Sequence, residues 1–209
     1  MDRRKALKNI SLSLGVAAAT PTMLSVLQSC TSDVATWQPV YFSKTEGHMI
    51  THLTDIILPK SDIAGALDVN VPEFMDKLFN EIVEDHTKNL YKEGASAFAA
   101  KFKEVYKKDA GDGTKEEFAE LLGTYFDIPQ QQQDEIFALL SEDKSNLEGK
   151  KLDMYLTYKF LTETRRYTLW GYYTSELVGE TILNYDPIPG VYQACIPVEE
   201  AGNGNAWSL

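Results

Sequence analysis

Apolar residues recur every three to four positions along most of this chain, which is the spacing of the buried face of an α-helix. The first such stripe follows the capping-box sequence Ser43-Lys44-Thr45-Glu46 and ends at Pro59. Further stripes follow Val71-Pro72, cover residues 95–107, follow a second capping box at 114–117, cover 130–141 and extend over 151–183, where Gly171 can interrupt the helix. No segment alternates as a β-strand does. The pattern predicts an all-α protein with one compact domain of about six helices.

The last 25 residues lack this periodicity and are rich in turn-forming residues, namely Pro187, Pro189, Gly190, Pro197, Gly202 and Gly204. Such a segment has too few regularly spaced apolar residues to form a core of its own. We therefore predict an irregular C-terminal tail that lies on a partner.

The first 29 residues form a different pattern, in which positive charge precedes a mildly apolar run from Ile10 to Leu27. The pair Arg3-Arg4 ahead of a weak apolar stretch resembles the signal of the twin-arginine route, which exports proteins after they have folded. The sequence Leu27-Gln28-Ser29-Cys30 resembles a lipobox, in which Cys30 would become the lipidated first residue of the mature chain. The predicted organisation is a cleavable export signal at 1–29, a linker at 30–42 and a helical domain at 43–209.

This leader predicts a periplasmic protein that the twin-arginine translocase exports and that Cys30 can anchor to the membrane as a lipoprotein. Two alternatives stay open for the same segment. An uncleaved membrane anchor is disfavoured because polar and small residues interrupt the 18-residue apolar run. A cytoplasmic amphipathic helix is disfavoured because the apolar residues are not confined to one face.

The charge balance of the chain is strongly acidic, with 20 Lys and Arg residues against 31 Asp and Glu residues and a net charge of −11. The predicted leader holds four of the bases and one acid, so the remaining 180 residues carry 16 bases and 30 acids, a balance of −14. That length suits a single domain. Phosphate backbones and anionic lipid headgroups would repel such a chain, so nucleic acid is excluded as a partner and membrane attachment must come through a lipid or another protein.

The two cysteines of the sequence are Cys30 and Cys195. If Cys30 is acylated, no disulfide can form within the chain even in an oxidising compartment. Cys195 is then either a structural thiol or one half of a bridge to another subunit.

Two histidines offer the strongest hint of a metal site. His48 and His52 are four residues apart on the first predicted helix and so project on one side of it. Because no third ligand follows at a recognisable spacing, we expect histidines at the edge of the core or at an interface. The alternative is an enzyme that uses both histidines and nearby carboxylates on a metal ion.

The other candidate motifs give no site. The run from Asp109 to Thr114 is similar to the front of a calcium-binding EF-hand loop, but with Gly113 at loop position six the first, third and twelfth positions hold Lys108, Ala110 and Ala119. The sequence has no nucleophile elbow, phosphate loop, dinucleotide fingerprint or haem-attachment motif. We predict no catalytic residue and no cofactor or metal bound by this chain, and an exported chain of that kind is best explained as the companion of a redox subunit.

Two blocks of sequence outside the leader resemble the gluconate 2-dehydrogenase subunit 3 family. The first block resembles the family's N-terminal signature in both order and spacing. It consists of Asp55-Ile56-Ile57-Leu58-Pro59, Asp62, Gly65-Ala66 and Val71-Pro72-Glu73-Phe74. The second block resembles the family's C-terminal block. It consists of Arg166, Thr168, Gly171-Tyr172-Tyr173-Thr174-Ser175, Gly179, Tyr185, Pro189-Gly190, Tyr192 and Cys195. Residues 92–150 between the blocks add nothing specific to the resemblance.

The resemblance implies a small, non-catalytic subunit of an exported dehydrogenase that oxidises sugars, sugar acids or polyols. In such complexes the large subunit is an FAD-dependent flavoprotein of the glucose-methanol-choline (GMC) type, and electrons pass to a cytochrome c subunit, which carries haem c, or to another acceptor. The small subunit is thought to help the flavoprotein fold and to carry it across the membrane. The arginine pair at Arg3 and Arg4 fits that role.

The two blocks also supply the predicted partner interface. A turn-rich loop and amphipathic aromatic residues suit protein binding, although each aromatic could instead pack in the core. The predicted interface residues are Asp62, Gly65, Ala66, Val71, Pro72, Phe74, Gly171, Tyr172, Tyr173, Tyr185, Pro189, Gly190, Tyr192 and Cys195. The alternative function is a stand-alone periplasmic lipoprotein that binds a ligand between its helices.

Overall fold

The computed structural model describes residues 37–186, 188, 190, 194–197 and 199–208. Seven α-helices lie within this part of the chain: α1 (Lys44–Ile57), α2 (Val71–Glu81), α3 (Asp85–Tyr106), α4 (Lys115–Phe126), α5 (Gln130–Leu140), α6 (Gly149–Tyr173) and α7 (Glu176–Thr181). The described residues form no β-strand, so the all-α prediction is confirmed. The predicted signal with Arg3, Arg4 and Cys30 lies outside the described residues, as do Pro189 and Tyr192.

Both predicted capping boxes are formed. Ser43 Oγ accepts a hydrogen bond from the backbone N–H of Glu46 at 3.2 Å, and the Glu46 carboxylate accepts one from the Ser43 N–H at 2.7 Å. Thr114 and Glu117 make the same reciprocal pair at the start of α4. These bonds satisfy N–H groups that the first turn of a helix leaves without partners, so the local sequence sets where both helices begin.

Two helix boundaries differ from the predicted ones. Helix α3 begins at Asp85, ten residues before the predicted start at residue 95, because its first turns carry polar residues that give no apolar stripe. The long C-terminal helix ends at Tyr173, after which α7 forms a separate short helix. The predicted break near Gly171 therefore falls three residues later, at Thr174.

Helices α3 and α6 form the most extensive helix pair of the fold. They approach closely at Gly94, where a Cβ atom would lie 2.5 Å from the Leu156 carbonyl oxygen and 2.7 Å from Phe160 Cβ. Nearby, the Tyr91 hydroxyl and Thr164 Oγ1 share a buried hydrogen bond of 2.8 Å. The absence of a side chain at Gly94 therefore allows the two longest helices to pack against each other.

The core between the helices is largely aromatic. Its fully buried side chains include Phe79, Phe98, Phe102, Phe118 and Phe160. The Phe79 and Tyr91 ring centroids are 4.5 Å apart, which is within the range of favourable aromatic pairs. These rings fill the space between α2, α3, α4 and α6.

A buried carboxylate fixes the segment that precedes α1. Asp76 on α2 is 1% exposed, and it accepts hydrogen bonds from the N–H groups of Val40, Tyr41 and Phe42 at 2.7, 3.0 and 2.9 Å. Three charge-assisted bonds compensate for the loss of hydration of a buried charge. Through them, α2 holds residues 40–42 in place immediately before α1.

Within the described residues, no helix combines the length and the apolar character that crossing a membrane requires.

Candidate partner-binding surface

The loop between α1 and α2, residues 58–70, has a tightly constrained backbone. The Ala66 N–H donates to the Leu58 carbonyl at 2.9 Å, and Asp68 accepts bonds from the Gly65 N–H at 2.8 Å and from Lys60 Nζ at 2.7 Å. A Cβ at Gly65 would lie 2.5 Å from the backbone nitrogen of Lys60. This glycine is therefore required by the close approach of two backbone segments.

The two sequence blocks that resemble the family meet in the structure. The Tyr172 hydroxyl on α6 donates to the Ala64 carbonyl at 2.7 Å, a bond that joins positions 108 residues apart. Phe74 on α2 lies over Gly171, where a Cβ would be 2.6 Å from Phe74 Cδ1. The Phe74 and Trp170 rings make an edge-on contact, with centroids 5.8 Å apart. The α1–α2 loop, the start of α2 and the end of α6 thus form one continuous surface.

The predicted interface residues divide by exposure. Six are buried within the chain itself: Gly65, Ala66, Val71, Pro72, Gly171 and Tyr172. Phe74 is half-buried, and the exposed members are Asp62, Tyr173, Tyr185, Gly190 and Cys195. The buried residues can shape this surface from below, whereas a partner can touch only the exposed residues directly.

Further exposed apolar side chains lie near the end of α6, on α7 and in the tail. Trp170 and Leu177 are each 44% exposed, and Trp207 is 54% exposed. Leu177 and Trp207 were not among the predicted interface residues. A lone leucine in a short helix and a tryptophan near the end of the tail carry no periodic signal, so only the three-dimensional structure shows that both side chains are exposed.

The end of the tail returns to α7. The Asn184 N–H donates to the Ala206 carbonyl at 2.8 Å, and the Ser208 N–H donates to the Asn184 carbonyl at 2.9 Å. An isolated β-bridge accordingly joins Asn184 to Trp207. The bridge holds the backbone of Trp207 beside that of Asn184, so the end of the tail lies next to the segment that follows α7 and contains Tyr185.

The two histidines of α1 lie at the edge of the core. Their ring centroids are 4.5 Å apart, His48 Nε2 is 2.8 Å from the Gly113 carbonyl oxygen, and the His52 ring stacks on Phe118. Burial lowers the pKa of His52 below its ordinary value, and His48 lowers it further. Among the described residues, no group of three His, Cys, Asp or Glu side chains is arranged to hold a metal ion.

An open groove lies between α4, α5 and α6, away from the two sequence blocks. Its volume is about 660 Å³, and its lining includes Tyr125, Ile136, Leu139, Met154 and Tyr158. Phe126 and Phe137 near its rim are 50% and 65% exposed. Helix α5 therefore leaves apolar surface uncovered, and only Leu139 among its residues is buried.

Comparison with known proteins gives one match. The model of the family described as gluconate 2-dehydrogenase subunit 3 matches residues 44–190. The matched range covers most of the chain and contains the N-terminal block, the helices after it and the C-terminal block up to Gly190. No curated protein and no solved structure matches the chain.

Proposed function

This chain belongs to the gluconate 2-dehydrogenase subunit 3 family, and from that membership we propose that it is the non-catalytic small subunit that binds an FAD-dependent dehydrogenase large subunit. The family name makes the chain a subunit of a dehydrogenase complex. The finer proposal is that the large subunit is a GMC-type flavoprotein that oxidises a sugar, a sugar acid or a polyol. FAD would then belong to that subunit and haem c to a cytochrome subunit, while this chain binds neither.

One observation carries the proposal: the two family-like blocks fold into a single surface with exposed aromatic side chains. Tryptophan and tyrosine dominate the binding energy of protein interfaces because they bury large areas at low entropic cost. Trp170 and Tyr173 present such side chains beside the loop of the N-terminal block. The tightly bonded backbone below them lets the surface bind with little rearrangement.

We further propose that binding begins in the cytoplasm, where this chain helps the large subunit fold and then takes it through the twin-arginine translocase. A route that exports folded proteins permits one signal to serve two subunits. The complex would then act in the periplasm.

Aromatic substitutions on two separate surfaces test the binding proposal. The double variant Trp170→Ala/Tyr173→Ala removes two exposed rings next to the signature blocks, and the matched control Phe126→Ala/Phe137→Ala removes two exposed rings at the α4–α5–α6 groove. We expect the first variant to weaken binding of the purified flavoprotein by at least about 30-fold, the effect of losing about 2 kcal/mol at a hot spot. Circular dichroism confirms that both variants fold. Equal binding by wild type and the first variant would contradict the proposed surface.

Cys30 gives this subunit a second proposed role as the membrane anchor of the complex. One acyl chain binds membranes only weakly, so lipidation at Cys30 would have to act with further acyl chains or with the partner. In the variant Cys30→Ala, the mature complex should move from the membrane fraction to the soluble periplasm. Unchanged fractionation would contradict lipid anchoring without affecting the proposed partner.

The groove between α4, α5 and α6 supports a second candidate function, that of a ligand-binding lipoprotein. Its volume of about 660 Å³ lies in the range of small-molecule sites. Native mass spectrometry of the purified chain distinguishes the two functions. A retained small molecule and no flavoprotein would favour ligand binding, whereas an equimolar flavoprotein complex would favour the accessory subunit.

A further inference from the structure

Charge is distributed unevenly along the chain. Every Lys, Arg and His residue lies at or before Arg166, and the remainder of the chain contains five acids and no base. The five acids are all exposed: Glu176, Glu180, Asp186, Glu199 and Glu200. In contrast, residues 44–166 hold 16 Lys and Arg residues interspersed with the other acids. All charged side chains in residues 167–209 are therefore acidic, unlike those of the preceding helices.

These acids lie among the exposed apolar side chains of the same segment. Glu176 and Glu180 flank Leu177 on α7, and Asp186 follows Tyr185 directly. Within the described part of the chain, none of the ion pairs involves one of the five carboxylates. Their charge is not neutralised inside the subunit and remains available to a partner.

Arg166 and Lys60 have local partners, whereas Arg165 on α6 is exposed and takes part in none of the ion pairs within the described residues. Arg166 on α6 binds Glu163 and stacks on the Tyr167 ring at 4.2 Å. Lys60 in the α1–α2 loop pairs with Asp68 at 2.7 Å. These local pairs compensate two of the positive charges, and the five acids outnumber Arg165, so the acids of α7 and the tail set the sign of the field over the neighbouring apolar surface.

We propose that this acid-rimmed face, formed by Tyr173, Leu177, Tyr185 and Trp207 with Glu176, Glu180 and Asp186, docks on a patch of the large subunit whose apolar centre is surrounded by Lys and Arg. The inference rests on the proposed function and adds the chemistry of the partner's surface. A neutral or acidic patch would leave three carboxylates without partners at a dehydrated boundary, which costs binding energy. Opposite charges at the rim satisfy them and guide the two proteins together.

The same charge pattern excludes other occupants of the face. A second copy of this chain would place acids against acids across a symmetric interface, and like charges there are repulsive. An anionic lipid surface would repel the face for the same reason. A flavoprotein patch with a basic rim would cover the apolar centre of the face and pair with its acids.

Association kinetics at varied salt test the proposal. The probe is the flavoprotein large subunit separated from the native complex, and the association rate is measured by surface plasmon resonance between about 20 and 300 mM NaCl, where the Debye length falls from over 20 Å to below 6 Å. The test variant is Glu176→Gln/Glu180→Gln/Asp186→Asn. The matched control, Asp134→Asn/Glu135→Gln/Glu142→Gln, removes three exposed acids from α5 and the turn after it.

The control acids lie far from the proposed face. Helix α5 packs beside Met154 and Tyr158 in the first half of α6, whereas α7 follows the end of α6 at Tyr173. Fifteen helical residues separate Tyr158 from Tyr173, which corresponds to about 22 Å along the axis. This separation is about one Debye length at the lowest salt concentration and several at the highest, so the control changes the net charge equally but alters the field at the face much less than the test variant does.

We expect the wild-type association rate to fall at least about tenfold over this salt range, as in steered associations. The test variant should lose most of that dependence and bind about tenfold more slowly at low salt, while the control stays close to wild type. A complex that forms with rates independent of salt and of the test variant would overturn the acid–base match and leave the proposed function intact. If the isolated large subunit does not bind the wild-type chain at all, the proposed function itself fails.

Discussion

Neighbouring tyrosines at the end of α6 have opposite environments. Tyr172 is 5% exposed and donates its hydroxyl hydrogen to the Ala64 carbonyl, whereas Tyr173 is 43% exposed. The sequence predicted both as interface residues, since a Gly-Tyr-Tyr run does not reveal which ring faces inward. Only the rotation of α6 against the α1–α2 loop separates a residue that holds the surface together from one that a partner can touch.

Tyr172→Phe should destabilise the domain by about 1 kcal/mol, because the partly buried Ala64 carbonyl loses its hydrogen-bond partner. The matched change Tyr173→Phe should alter the free energy of unfolding by less than about 0.5 kcal/mol, as expected for an exposed position. Urea denaturation of both variants measures the difference. Equal unfolding free energies for the two variants would mean that the bond between the blocks contributes nothing.

The pH dependence of stability should report on His52. Its pKa is lowered in the folded state by burial and by His48, with Lys115 adding to the effect and Asp55 and Glu116 opposing it. As the pH falls below the ordinary histidine pKa of about 6.5, the unfolded chain takes up a proton before the folded chain does, so the domain loses stability. Above that pH both states are neutral at His52 and the effect is absent.

Thermal unfolding between about pH 7.5 and pH 5.5 checks this sign, with His52→Gln as the comparison. The wild type should lose more stability than the variant over this interval, since the variant has no proton to bind at position 52. A variant that loses as much stability as the wild type would assign the pH dependence to other groups.

At the scale of elements, local sequence determined the helix starts that have side-chain caps. Ser43 with Glu46 and Thr114 with Glu117 predicted both starts correctly, because a capping box acts through neighbouring residues alone. The early start of α3 at Asp85 escaped prediction because its N-cap residue, Glu84, makes no side-chain cap and the first turns are polar. Where packing against other helices fixes a helix boundary, the apolar periodicity within the segment is not enough to predict that boundary.

Two glycines in helices should respond oppositely to alanine. Gly94→Ala should destabilise the domain by about 2–3 kcal/mol, because its Cβ would meet the Leu156 carbonyl and force α3 and α6 apart. Gly123→Ala on α4 should stabilise it by about 0.5–1 kcal/mol, since nothing lies within 4 Å of that Cβ and alanine favours the helix. Chemical denaturation measures both changes, and a neutral Gly94→Ala would contradict the close contact of the two helices.

For the whole molecule, the resemblance of two short blocks predicted the family, and the family match confirms it. The sequence did not show that the blocks touch, since the Tyr172–Ala64 bond spans 108 positions and depends on how α2 and α6 pack. Nor could it show that the tail returns to Asn184, because a single bridge between irregular segments leaves no periodic pattern. The acidic composition of the C-terminal part was visible in the sequence, but its position around exposed apolar residues required the fold.

If this chain carries the flavoprotein across the membrane, both proteins should depend on the same export signal. The variant Arg3→Lys/Arg4→Lys should retain both this chain and its flavoprotein partner in the cytoplasm, because the twin-arginine route depends on the arginine pair. Fractionation of cells with antibodies to both proteins measures the outcome, and a periplasmic protein exported by the general secretory route serves as the control. Continued export of the flavoprotein would show that it does not depend on this chain.

Affinity purification from the native host tests whether this chain is the accessory subunit of a flavoprotein dehydrogenase. Mass spectrometry and an absorption spectrum of the eluate identify the bound proteins and any flavin. We expect a yellow, equimolar complex with a large oxidoreductase. A colourless, well-folded monomer that elutes alone would contradict that role.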